Sequence, residues 1–90
     1  MEILLSEEFK ENFSCLEKQI QKRADKQITI FKENLFYPSL HTEKLTPRAK
    51  QLWSFRIDKK YRVIFRFIDK DNILFLTIGM HDWIYKQNFN

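Results

Sequence analysis

Residues 52–85, LWSFRIDKKYRVIFRFIDKDNILFLTIGMHDWIY, contain three strand-like runs. Leu52 to Ile57, Tyr61 to Ile68 and Ile73 to Ile78 are rich in β-branched and aromatic residues, which suit a pleated, half-buried surface. The connections, Asp58-Lys59-Lys60 and Asp69-Lys70-Asp71-Asn72, are short and polar and join antiparallel neighbours, so this half is a meander. Side chains alternate across a strand. In the middle run, Tyr61, Val63, Phe65 and Phe67 therefore share one face, while Arg62, Ile64, Arg66 and Ile68 share the other. The aromatic face is expected to carry the rest of the chain, and Arg56 to share the outer face with Arg62. The last run ends at Gly79, the only glycine, where the backbone is expected to need a turn or a close approach. It releases His81, Asp82 and Tyr85 within one short polar turn.

Upstream the period changes. Phe9, Phe13, Leu16, Ile20 and Ala24 step by three or four residues and form one helical face, which Ile28, Phe31 and Leu35 continue. Ser6 offers the N-cap, with Glu7 and Glu8 in the first turn. The spacing leaves one long helix or two. The expected break is Arg23 to Lys26, with Asp25 as second N-cap, and Tyr37-Pro38 ends the helical half. Glu2 to Leu5 is a short strand, and residues 38–51 are a basic connection with small helical or turn elements. The fold class is α+β, with N-terminal helices packed on one face of a small antiparallel sheet. We expect one domain over residues 1–90, with helices in about 6–36, the sheet in about 52–80 and a functional turn at 79–85.

The 90 residues carry a net charge of +4, unevenly spread. Residues 1–40 hold six Lys/Arg against seven Asp/Glu, and residues 41–90 hold ten against five, so an anionic partner is expected on the second half. Cys15 is the only cysteine, which excludes an internal disulfide and a multi-cysteine zinc site. Its place beside core positions reads as a buried structural thiol. The early apolar run, Ile3 to Leu5, is too short for a signal-peptide core, and no segment approaches the roughly 20 apolar residues of a membrane span. Cytoplasm is the expected location, without membrane contact.

Asp58, Asp69, Asp71 and Asp82 fall at separate turns, and the two histidines are forty residues apart, so no metal-ligand set or small-molecule cofactor is expected. What remains suits a phosphodiester. RNA carries its own nucleophile, the 2'-hydroxyl, so an enzyme need only position it, move two protons and stabilise charge on phosphorus. Arginines at 56 and 62 can grip phosphate oxygens in pairs. An imidazole, with an ordinary pKa of about 6.5, can take or give a proton, which suits His81. Tyr85 can stack on a base or join in proton transfer. Lys44, Arg48, Lys50 and Arg66 are further candidate RNA or phosphate contacts.

Pro38-Ser39-Leu40 leading to Lys44-Leu45, then Leu52-Trp53-Ser54-Phe55-Arg56-Ile57, Tyr61-Arg62-Val63-Ile64-Phe65 and Ile78-Gly79-Met80-His81-Asp82-Trp83-Ile84-Tyr85, resemble in order and spacing the RelE/ParE superfamily of type II toxin–antitoxin toxins. The YafQ-like branch, with its "WSFR", "YRIIF" and "IGTHDxVY" signatures, is the most similar. The resemblance implies a ribosome-dependent mRNA endonuclease that enters the ribosomal A site and is restrained by a cognate antitoxin. It further implies that Arg62 is the phosphate-stabilising arginine, that His81 is an acid or charge stabiliser, and that Tyr85 is the C-terminal aromatic used in stacking or proton transfer. Arg56 matches a frequently basic strand position. The sequence departs at Glu43, where YafQ-like proteins have a histidine, and at Trp53 and Phe55, where the RelE branch has paired lysines; Glu43 is a candidate carboxylate base. A ParE-like gyrase inhibitor and a catalytically inactive protein-binding member of the same fold are the alternative readings.

Overall fold

The computed structural model describes residues 1–45 and 51–84. Chain order is β1 (Glu2–Leu5), α1 (Glu7–Ser14), α2 (Lys18–Glu33), a 3-10 turn at Pro38–Leu40, β2 (Glu43–Lys44), β3 (Trp53–Arg56), β4 (Tyr61–Phe67), β5 (Asn72–Met80) and α3 (His81–Ile84). Ser6 caps α1 as expected: its Oγ accepts the Phe9 N–H at 3.0 Å and donates to the Leu76 carbonyl at 2.7 Å.

The helix break lies elsewhere than expected. Asp25 sits inside an uninterrupted α2, and the chain breaks at residues 15–17. There the Ser14 hydroxyl donates back to the Glu11 carbonyl, a local bond that competes with helix continuation. Gln21 Nε2 then donates to the Phe13 carbonyl at 2.8 Å, a second bond to an acceptor that already takes the Leu16 N–H at 3.1 Å, and so ties α2 to the end of α1. Cys15 falls on this corner and is exposed, not buried. The helical half also stops early, at Glu33, because Asn34 turns extended and its side chain takes the Phe36 N–H.

Strand order is β1-β5-β4-β3-β2. β2 to β5 are antiparallel to their neighbours, whereas β1 runs parallel to β5, making the sheet mixed. The aromatic face carries the helices. Phe31 of α2 stacks on Phe55 at 4.6 Å and meets Phe65 and Phe75 edge-on at 5.1 and 5.5 Å. Each such ring contributes roughly 1.5–3 kcal/mol by burial. On the outer face, Leu52 and Ile64 form a second small cluster with Leu45 and Leu76.

A β-bulge decides which residues reach which face. Ile64 pairs with Thr77 but Phe65 pairs with Phe75, so Leu76 is an extra residue in β5. Ile73 and Phe75 face the helices before the bulge, and Ile78 does so after it. The same shift sets Gly79 opposite Arg62 and Met80 opposite Tyr61. Gly79 is therefore inside a strand, and no glycine takes a positive φ, which corrects the expectation of a turn there. Its use is clearance: a residue without a Cβ stands beside the Arg62 side chain.

Candidate functional site

The β3–β4 hairpin builds one wall. Asp58 Oδ1 accepts the Lys60 and Tyr61 N–H groups at 2.8 and 2.9 Å, and Oδ2 is paired with Arg23 Nη1 at 3.0 Å. Burial pushes the Asp58 carboxyl up, but these hydrogen bonds and the Arg23 charge outweigh it and hold the pKa below the ordinary value. The turn so fixed presents carbonyls to Arg62. Nη1 of Arg62 donates to Asp58 O at 2.7 Å and to Lys59 O and Tyr61 O at 3.1 Å. The guanidinium, on a residue only 7% exposed, is thus held at the strand's start.

Arg56 lies directly across from Arg62 on β3, on the same face, as the alternation predicts. Directly opposed like charges are destabilising, so this pair marks a place where an anion would relieve repulsion. Gln27 on α2, a buried residue that sequence reading passed over, donates Nε2 to the Arg56 carbonyl at 3.0 Å and ties that strand end to the helix layer. The helical period of Ile20, Ala24 and Phe31 does place position 27 on the buried face, but a polar residue there is not counted by a reading of apolar residues alone.

The backbone N–H of His81 donates to Lys60 O at 2.6 Å, so α3 begins locked to the hairpin. Its half-exposed imidazole has Nδ1 3.3 Å from Asp82 Oδ1. Arg62 and His81 line one open cavity of about 300 Å³ with Lys59, Lys60, Met80 and Asp82. In the sequence the two lysines belong to the polar connection Asp58-Lys59-Lys60. Their signal lies in the register, which places the hairpin tip beside the end of β5.

The other candidates are scattered. Glu43 shares the outer face, opposite Ser54, but stands on the edge strand β2 and is not part of that cavity lining. Lys44 alternates to the helix-bearing face, where Nζ sits 6.0 Å from the Trp53 ring centroid, which removes it from the Arg56–Arg62 face. Arg66 is exposed on the outer face four residues along from Arg62, roughly 13 Å away at strand rise. Arg48, Lys50 and Tyr85 lie outside the described residues. Among the described residues, no three His, Cys, Asp or Glu side chains stand together as metal ligands, and no helix is long and apolar enough to cross a membrane.

Comparison with known proteins places this arrangement. The profile of the HigB-like toxins, RelE-like toxins of the type II toxin–antitoxin system HigB, matches residues 10–81. Among solved structures, YafQ from E. coli strain BL21(DE3) superposes with a TM-score of 0.76 at 15% identity, covering 93% of this chain and 97% of that one. The YoeB/ParE toxin from Agrobacterium tumefaciens gives 0.74 at 15% identity, covering 90% and 99%. The RelB–RelE antitoxin–toxin complex from Methanococcus jannaschii gives 0.71 at 18% identity, covering 91% and 94%. A search of curated proteins returns no match. At these identities the structures speak for the RelE/ParE fold, and the profile, which spans most of the sequence, speaks for descent. The chain belongs to the HigB-like family of RelE-like toxins of type II toxin–antitoxin systems.

Proposed function

We propose that this toxin is a metal-independent endoribonuclease that cuts mRNA in the ribosomal A site and is held inactive by a cognate antitoxin. The observation that carries the reading is the cavity that joins Arg62, His81, Lys59 and Lys60, with Arg56 directly across the sheet from Arg62. In this scheme the 2'-hydroxyl oxygen attacks phosphorus and gives its proton to solvent water, the P–O5' bond breaks, and the 5' oxygen takes a proton from the His81 imidazolium, which regains one from solvent. Cyclic phosphate and a free 5'-hydroxyl result. Arg62 and Arg56 stabilise charge on the phosphoryl oxygens, where preorganised cations act most strongly. His81 protonates the leaving oxygen, and Tyr85 stacks on the neighbouring base or assists the transfer. Glu43 stands outside the cavity lining and receives no proton role.

The antitoxin follows from family membership and from neighbours solved as complexes, RelB–RelE and the E. coli DinJ–YafQ toxin–antitoxin complex. An acidic or amphipathic antitoxin segment over the basic face blocks RNA directly.

The test is mRNA end-mapping after induction without antitoxin. Wild type is expected to arrest growth and leave cut transcripts, while His81→Ala slows cutting about 10²–10⁴-fold, the usual worth of a general acid. Arg62→Lys keeps the charge but loses the fork geometry, and is expected to fall similarly without unfolding. Normal growth and intact transcripts with soluble wild-type protein would overturn the reading. DNA-damage signalling with intact mRNA would select the gyrase-inhibitor alternative.

A further inference from the structure

β4 begins and β5 ends at the same rim of the sheet, and the register there alternates two kinds of surface. Arg62 pairs with Gly79 on the outer face, and the adjoining pair, Tyr61 with Met80, lies on the helix-bearing face. Met80 is 47% exposed, a large apolar side chain at the mouth of the site. It lines the cationic cavity together with Arg62 and His81. It also lines a second groove, of about 410 Å³, on the other side of the rim. That groove is walled by Leu16, Tyr61, Ile78 and Met80, with the Asn12 amide and exposed Cys15 at its border. Asn12 is held in place by its Nδ2 bond to Thr77 Oγ1 at 2.8 Å. The volume falls within the roughly 300–1,000 Å³ of small-ligand sites.

A cationic cavity and an apolar, aromatic-edged groove that share one side chain match the two halves of a nucleotide. We propose that the groove bounded by Leu16, Tyr61 and Met80 is a base subsite, holding the nucleobase attached to the phosphate bound at Arg62. This rests on the endoribonuclease reading above and adds what that reading lacks, a place where the identity of the RNA is felt. The RNA strand crosses the rim of the sheet, with its phosphate on the outer face and the adjacent base turned over Met80 onto the helix side. A base stacks or packs on a ring or thioether regardless of its identity, so affinity comes from the apolar wall. Discrimination comes from the Asn12 amide, the one side-chain amide at the groove among the described residues, since an amide offers both donor and acceptor to a base edge. Glycine at 79 has a second use here, leaving the sugar–phosphate room to pass beside Arg62.

Two variants test the subsite, both at exposed positions apart from Arg62 and His81. Cys15→Trp fills the groove from its border, and Met80→Ala removes the shared wall. With melting curves unchanged, Cys15→Trp is expected to lower the rate of mRNA cutting about tenfold or more, the scale of one lost base contact. Met80→Ala is expected to lower the rate of cutting on the same scale, since it strips the apolar wall from which affinity comes, while the base beside the cleaved bond stays the same. If wild type cuts and both variants cut at the wild-type rate, the subsite is wrong while the endoribonuclease reading stands. If wild type itself leaves mRNA intact, both fall together.

Discussion

Arg62 owes its position to Asp58, a neighbour that orders the hairpin around it. The Asp58 carboxylate folds the hairpin whose carbonyls hold the guanidinium, so Asp58→Ala acts twice. It removes two backbone hydrogen bonds and an ion pair, a loss of about 1–3 kcal/mol measurable by urea unfolding, and it slackens Arg62. The sign of the pH effect follows from the depressed pKa. The stabilisation is complete above the unfolded carboxylate's value near 3.9 and is lost as pH falls through the lower native one. Wild type should therefore lose stability below about pH 4 more steeply than Asp58→Asn, and equal acid limbs in paired melting curves would refute this contribution. At Gly79 the cause differs, since a side chain there faces Arg62 from inside a strand. Gly79→Val gains strand propensity but overfills a buried position beside Arg62, so under the proposed activity cutting should fall and the melting temperature should fall with it.

The second helix is the element on which the two ends of the site depend. Phe31 packs against rings from β3, β4 and β5, and Phe31→Ala should cost about 3–5 kcal/mol in denaturant unfolding. That is much of the roughly 5–15 kcal/mol a domain possesses. The elements show what a sequence can disclose. Strict alternation in Tyr61 to Phe67 made the two faces of β4 readable, and with them the Arg56–Arg62 pair. The N-cap at Ser6 was equally plain because a cap has its own chemistry. The break at Cys15 was hidden, since no glycine or proline marks it and it depends on Gln21 reaching back to Phe13. The faces of Glu43 and Lys44 were hidden too, because a two-residue strand has no period to read. Most consequential was the bulge at Leu76. Period-two counting through β5 fails at an inserted residue, so the juxtaposition of Gly79 with Arg62 appears only in the register.

At the scale of the whole molecule, six cations among the described residues, Arg56, Lys59, Lys60, Arg62, Arg66 and Lys70, belong to β3, β4 and the connections that join β3, β4 and β5. An antitoxin recognising these cations should bind about tenfold or more weakly at high ionic strength than at low, read by titration calorimetry at two salt concentrations. An affinity indifferent to salt would refute an electrostatic share in neutralisation. The parallel pairing of β1 with β5 carries a different consequence. Glu2 meets Asn72, and Leu5 meets Phe75, across some seventy intervening residues. Such distant partners cannot close until synthesis has delivered both, and the loop entropy of joining them slows the step further. His81 then follows directly on the strand that completes the sheet. The start of α3 therefore takes its place only once the first strand of the chain has met the last.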